Sequence, residues 1–366
     1  MSQALRSVAT RWTVALPLIA ILALALTWGT YPATPVLVVV GLLLAASVLA
    51  SVHHAEVVAH KVGEPFGSLV LAVAVTVIEV ALIVTLMISG GPETATLARD
   101  TVFAAVMITL NGIVGLSLLL GALRTKVATF NAEGTGTALA TVATLATLCL
   151  VLPTFTTGAP GSEFTTSQLI FAAIASIVLY GLFVFIQTVR HRDYFLPQAA
   201  RGGPIDLDEH AEPPSSRAAL TSLGMLVVAL VAVVGLAKIE SPAIEDAVEA
   251  AGFPQSAVGV IIALLVLLPE SLAAANNARR DRVQTSLNLG LGSAMASIGL
   301  TIPAIAVATI WLDGPLILGL EATQMVLLLL TVIVSVLTVV PGRATLQQGV
   351  LHLVLFFAFL FLAVSP

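Results

Sequence analysis

Long apolar runs broken by short polar stretches dominate this chain. Eleven of them fall at about 13–30, 35–52, 68–89, 101–121, 137–153, 167–189, 219–237, 256–276, 285–310, 315–340 and 346–364. A helix rises about 1.5 Å per residue, so runs of roughly 17 to 25 residues are long enough to cross about 30 Å of hydrocarbon. They are continuously apolar and lack the period-two alternation of a spanning barrel, so each predicts a helix. The expectation is an all-α membrane protein of about 11 transmembrane helices.

The polar breaks sort those helices into two sets. The longest break, 190–217, holds Pro197, Gly202, Gly203, Pro204, Pro213 and Pro214 together with Asp206, Asp208, Glu209 and Glu212. Leaving out the first helix, five spans precede this break and five follow it. An odd number per half turns the second half over in the membrane, the inverted-repeat plan of many secondary transporters. The predicted parts are an extra N-terminal helix (1–34), a first five-helix repeat (35–189), a cytoplasmic acidic linker (190–217) and a second five-helix repeat (218–366). The linker's composition predicts a flexible, solvated tether.

Composition and charge sharpen this reading. The chain is 58% hydrophobic and only 10% charged, whereas a soluble domain is about 25% charged, so an ordinary soluble fold is excluded. With Arg6 and Arg11 on the cytoplasmic side, that side also receives Lys61, Arg124, Lys126, Arg190, Arg192, Arg201, Arg217, Arg279, Arg280, Arg282 and Arg343, leaving only Arg99 and Lys238 outside. This positive-inside split predicts a cytoplasmic N-terminus and an outward C-terminus. Glu93, Asp100, Glu163, Glu240, Glu245, Asp246, Glu249 and Asp313 gather on the outer side, where a solvated acidic face is expected. The first apolar run is longer than a signal-peptide core and no small-residue cleavage site follows it, so it reads as a retained helix. The single cysteine, Cys149, excludes an internal disulfide, and no phosphate-binding loop or zinc helix is visible. The expected partners are the lipid bilayer, transported cations and protons, with no cofactor and no nucleic acid. An ion gradient must supply the energy.

Against this apolar background, two acids stand out. Glu79 and Glu270 each sit mid-run with no compensating charge in the same run. A carboxylate at bilayer depth costs several kcal/mol, so both mark a cation or proton site. Gly63, Pro65 and Gly67 upstream of Glu79 make a poor helix interior and should shape an entrance. Thr76, three positions before Glu79, shares roughly its helical face. Pro269 removes a backbone donor beside Glu270 and leaves a carbonyl one turn earlier free. In the next span Ser293, Ser297 and Thr301 recur every four residues, either as part of an ion pathway or as a small-residue packing seam with Gly290 and Gly292. Asn111, beside Gly112 in the fourth span, is a further pathway candidate, because an amide in hydrocarbon needs a partner or a cavity. His53, Glu56 and His60 follow an i, i+3, i+7 pattern near the end of the second span, as a candidate gate or proton relay or as a juxtamembrane polar cap. Glu321 and Gln324 at the start of the tenth span are open in the same way, and His352 reads as a bundle-interior residue.

These residues carry a resemblance. The segment in which Gly63, Glu64 and Gly67 precede Glu79 resembles the first repeat of the calcium/cation antiporter superfamily, proton-coupled branch. Glu270, followed 22 positions later by the pair Gly292–Ser293, is similar to that family's second repeat. The stretch His60 to Ser68, the proline before Glu270 and Gly342–Arg343 are most like its bacterial ChaA branch. The resemblance implies a secondary antiporter that exports calcium, with sodium or potassium as further substrates, in exchange for protons, using Glu79 and Glu270 as the metal and proton ligands. One departure stands out: the family's amide three positions before each glutamate is here Thr76 or Leu267, which weakens strict calcium selectivity. A monovalent sodium (potassium)/proton antiporter with little calcium transport is the alternative. A cation channel and a membrane-embedded enzyme are the other classes the paired acids allow.

Charge balance gives a mechanism. Two carboxylates about 5 Å apart at an effective dielectric near 20 repel by about 3 kcal/mol. An empty, doubly ionised pair is therefore disfavoured. One divalent cation, two protons, or a monovalent cation with a proton would each neutralise it, and this competition couples the fluxes.

Overall fold

The computed structural model describes residues 3–30, 32–63, 66–90, 94–196, 214–311 and 314–365, with side chains omitted at 3–11, 66–72 and 89–90. The fold is all-α and multi-spanning. Its helices are α1 (Gln3–Thr27), α2 (Thr34–Val62), α3 (Phe66–Gly90), α4 (Leu97–Thr125), α5 (Ala132–Phe155), α6 (Thr166–Arg190), α7 (Ser216–Ala250), α8 (Ser256–Arg279), α9 (Val283–Ala308), α10 (Ala322–Val339) and α11 (Leu346–Val364). Among the described residues, nine of these are long and apolar enough to cross a membrane; shorter apolar stretches, Trp12–Thr27 and Val73–Ile88, lie in α1 and α3.

The ends of the helices are written in local sequence. Gly63 closes α2 at φ 77° and donates its N–H to the Ala59 carbonyl, a conformation that favours glycine. Asn131 caps α5 by accepting from the N–H groups of Glu133 and Gly134. Thr165, Glu321 and Thr345 each form a capping box with a glutamine three residues on. Of the predicted linker, residues 197–213 lie outside the described residues, as do Glu64 and Pro65 of the predicted entrance.

The chain divides into two compact units, Met1–Thr94 with His210–Gly252, and Ala95–Glu209 with Phe253–Pro366. In the first, α2 packs on α7, and α1 and α3 each pack on both. Pro17 in α1 has no N–H to offer the Thr13 carbonyl. His54 of α2 meets that carbonyl instead, with Nε2 at 3.0 Å. In the second unit, α4 packs on α8 and α11, α9 packs on α5 and α6, and α10 joins α11 and α5. Small residues set the closest approaches. A Cβ at Gly115 of α4 would lie 2.8 Å from the His352 Cβ, and one at Gly349 of α11 would lie 2.7 Å from the Leu119 backbone nitrogen. Each unit thus pairs helices from the two halves of the chain, as inverted repeats do when they interleave.

Two features of the second unit differ from the run-by-run expectation. The apolar run 315–340 is not one helix; α10 begins only at Ala322. Before it, the chain is extended and hydrogen-bonded across the unit, with Ile317 N–H to the Ala95 carbonyl, Gly319 N–H to Ser162 and Leu320 N–H to Leu150. Gly319 permits this because a Cβ there would lie 2.4 Å from the Thr154 hydroxyl oxygen. The second feature is a short antiparallel clip in which β1 (Val127–Thr129) pairs with β2 (Arg343–Thr345), joining the loops after α4 and α10.

Candidate ion-binding residues and their surroundings

Both glutamates are buried. Glu79 is on α3 at 3% exposure, one turn from Thr76, which is also buried. Glu270 is on α8 at 6% exposure, directly after Pro269. Pro269 cannot donate to the Leu265 carbonyl, so α8 lacks one ladder hydrogen bond a turn before the carboxylate. A carboxylate buried at this depth is costly to keep ionised, which makes both positions candidates for binding a proton or a cation.

On α9, Ser297 and Thr301 are buried and Ser293 is half-buried. The neighbouring glycines divide between two roles. A Cβ at Gly290 would meet Ile113 of α4 at 3.1 Å and one at Gly299 would meet Tyr180 of α6 at 2.8 Å, so these are packing positions; Gly292, beside Ser293, faces open space. The packing seam therefore takes in Gly290 and Gly299 and leaves out Gly292.

Asn111 lies in a π-helical segment of α4, Ile108–Ile113, which gives the helix one extra residue per turn there. Its side chain is fully buried. Asn111 Nδ2 donates to the Thr331 hydroxyl at 2.9 Å, and its Oδ1 lies 3.2 Å from His352 Nδ1. Since the amide nitrogen is already the donor, Oδ1 accepts and His352 Nδ1 carries the hydrogen. His352 Nε2 then faces the Thr338 hydroxyl at 3.3 Å. This network joins α4, α10 and α11 around a small cavity, whose polar lining is Thr135, Ser335, Thr338 and His352. Sequence reading placed Asn111 and His352 separately and missed their partners. The available signal was the spacing of Thr331, Ser335 and Thr338, which share one face of α10.

The candidate relay lies toward the end of α2. His53 is half-buried, and Glu56 and His60 are exposed. The His53 ring stands edge-on to His54 at 5.5 Å.

Two residues expected on a solvated acidic face are not solvated. Asp100 is 3% exposed, with Oδ1 2.8 Å from Arg99 Nε, and Arg99 itself is 5% exposed. Arg99 also donates to the Gly319 carbonyl at 3.2 Å and reaches Glu321 at 3.4 Å. Gln324 Nε2 adds a contact to Asp100 at 3.3 Å. The adjacent opposite charge makes this burial tolerable, which a reading by loop position overlooks. Glu240 is the second, at 7% exposure within the α2–α7 packing.

Comparisons with known proteins follow the same pattern. The profile of the sodium/calcium exchanger protein family matches residues 32–189 and 221–365. A proposed ionic transporter of Sinorhizobium fredii, y4hA, is 48% identical over 328 residues, covering 88% of this chain and 87% of its own. The sodium-potassium/proton antiporter ChaA of Escherichia coli is 34% identical over 367 residues, covering 98% of this chain and 99% of its own. Among solved structures, the Ca2+/H+ antiporter protein YfkE superposes with a TM-score of 0.70 at 16% identity, covering 98% of this chain and 99% of its own, a likeness of fold.

Proposed function

This chain belongs to the sodium/calcium exchanger protein family, and from that premise we propose that it is a secondary antiporter exchanging cations for protons at Glu79 and Glu270. The observation that carries the reading is the burial of one glutamate in the second span of each five-span half. Oppositely oriented repeats would bring such residues to one depth. Each cation that binds must displace protons, because a buried carboxylate left empty and ionised is disfavoured. Thr76, Ser293, Ser297 and Asn111 are the supporting polar groups in this proposal. His53, Glu56 and His60 would carry protons at the cytoplasmic end, where the excess of basic residues on one side puts the N-terminus.

Calcium is the primary substrate in this reading, with sodium and potassium also carried. A second reading, a sodium (potassium)/proton antiporter with little calcium transport, is favoured by two observations. Leu267 stands where an amide ligand would serve a divalent ion, and the named activity of the Escherichia coli relative is sodium-potassium/proton exchange. The deciding experiment is proton movement in reconstituted vesicles, driven separately by calcium, sodium and potassium. Proton flux driven by calcium supports the first reading, and flux with monovalent ions alone supports the second. Ion currents with no obligatory proton movement would overturn both in favour of a channel.

A further inference from the structure

The first unit holds a buried acid that the two-glutamate site does not use. Glu240 lies where α7 packs on α2, opposite Gly41; its Oε1 is shielded from water with no hydrogen-bond partner, and the Gly41 backbone is the one group that hydrogen-bonds the carboxyl among the described residues. A Cβ at Gly41 of α2 would stand 3.8 Å from the carboxyl carbon and from both oxygens, so the glycine leaves the space that the carboxyl fills. No ion pair reaches Glu240 among the described residues. Lys238, two positions earlier, projects about 200° away around α7 and is held over the Trp28 ring at 5.3 Å.

The surroundings decide which ligand such a group can take. A hard metal ion takes six or more oxygens, and among the described residues no group of three or more acidic, histidine or cysteine side chains could hold one. A single carboxyl in an apolar contact can take a proton. Burying it ionised, with the Gly41 backbone as its single polar contact and no counter-charge among the described residues, is costly, whereas protonation removes that penalty. Among the described residues, no titratable group on the elements packed here forms an ion pair with it. Glu245, Asp246 and Glu249 lie further along α7, and Glu245 accepts from Ser241 at 3.0 Å. The groups of α2 begin at His53, about 18 Å along that helix from Gly41. Helix α1 carries Arg6 and Arg11 near its start, and α3 carries Glu79.

We propose that Glu240 is a proton-binding residue separate from Glu79 and Glu270, holding its proton while α2 and α7 are packed together and releasing it when water enters between them. The packing of these two helices is thereby linked to proton concentration. Loss of the proton leaves a charge that one backbone contact cannot satisfy and that draws in water, which favours their separation.

Infrared spectroscopy of the purified full-length protein tests this without requiring transport, so its outcome is independent of the antiporter reading. In a Glu79→Gln/Glu270→Gln background at neutral pH, a protonated-carboxyl band is expected. Adding Glu240→Gln should remove that band, and Glu240→Asp should shift it. If the Gln variant does not fold, the Asp variant alone decides, and an unshifted band overturns the proposal. Absence of the band in the parent background, or its persistence after Glu240→Gln, also overturns it. Thiol labelling of Val40→Cys, with Cys149→Ala, gives a second readout. Labelling should accelerate about tenfold or more from mildly acidic to alkaline pH, and Glu240→Gln should abolish that acceleration; the same pH response in both would count against the link.

Discussion

Replacing Arg99 with methionine tests how the second unit tolerates charge in its interior. The substitution keeps an apolar stem of similar reach and removes the guanidinium that faces Asp100 at 2.8 Å and the Gly319 carbonyl at 3.2 Å. Asp100, 3% exposed, would keep, among the described residues, the Gln324 amide as its side-chain hydrogen-bond partner. Breaking one partner of a buried pair costs about 3–5 kcal/mol, because the other charge remains buried. At roughly 2 °C per kcal/mol, the lower end for larger domains, the apparent Tm should fall by about 6–10 °C. Adding Asp100→Asn removes the stranded charge, so the double variant should recover at least half of the loss. Glu321→Gln should shift the Tm by about 2 °C or less, because that side chain is 72% exposed and an exposed pair contributes only about 0–1 kcal/mol. The assay is tryptophan-fluorescence unfolding in detergent across all four proteins at one scan rate. A double variant no more stable than Arg99→Met, or an Arg99→Met protein as stable as the parent, would refute the assignment.

Three further outcomes are expected. Glu79→Gln and Glu270→Gln should each lower cation-driven proton flux about 100-fold or more with monodisperse protein retained, since an amide keeps the shape and cannot exchange a proton; near-normal flux in either would remove that carboxylate from the proposed site. Apparent cation affinity should weaken as pH falls, by up to about tenfold per pH unit for each proton displaced, because the protonated carboxyl cannot bind the cation; affinity measured by flux titration that is flat from mildly acidic to alkaline pH would oppose direct competition. Asn111→Leu should destabilise the protein by about 1–3 kcal/mol, since it leaves His352 Nδ1–H and the Thr331 hydroxyl without their buried partner; an unchanged Tm would show that water takes its place.

What was legible in the sequence was whatever depends on neighbours along the chain. Length and apolarity marked the helices, and Glu79 and Glu270 were visible because an acid inside an apolar run has no local excuse. Helix α7 runs on to Ala250 through Lys238, Glu240 and Pro242, well past its apolar stretch, because burial against α2 supports polar residues that hydropathy alone would leave in a loop. The run from 315 misled in the opposite sense. Its residues are apolar, yet Gly314 at φ 140°, Pro315 and the crowded Gly319 favour an extended path whose hydrogen bonds come from distant segments. The distant partners of Asn111 and Arg99 were hidden for a similar reason. Thr331 lies 220 positions from Asn111 and Gly319 lies 220 from Arg99; the spacing of Thr331, Ser335 and Thr338 marks a polar face of α10 without saying what it meets.

The clip between β1 and β2 has a consequence for how the protein is made. Val127 pairs with Thr345 and Thr129 with Arg343, so about 215 residues separate the two strands. At roughly 5–20 residues per second of synthesis, β1 leaves the ribosome on the order of 10–40 s before its partner exists. Arg99 and Asn111 wait a comparable time for Gly319 and Thr331. During biogenesis the early helices of this unit must therefore sit in the bilayer with polar groups unserved, sheltered by the insertion machinery or by lipid headgroups, until the last hairpin arrives. A ribosome stalled before residue 343 would release a chain whose helices are all but complete and whose interior is still unclosed.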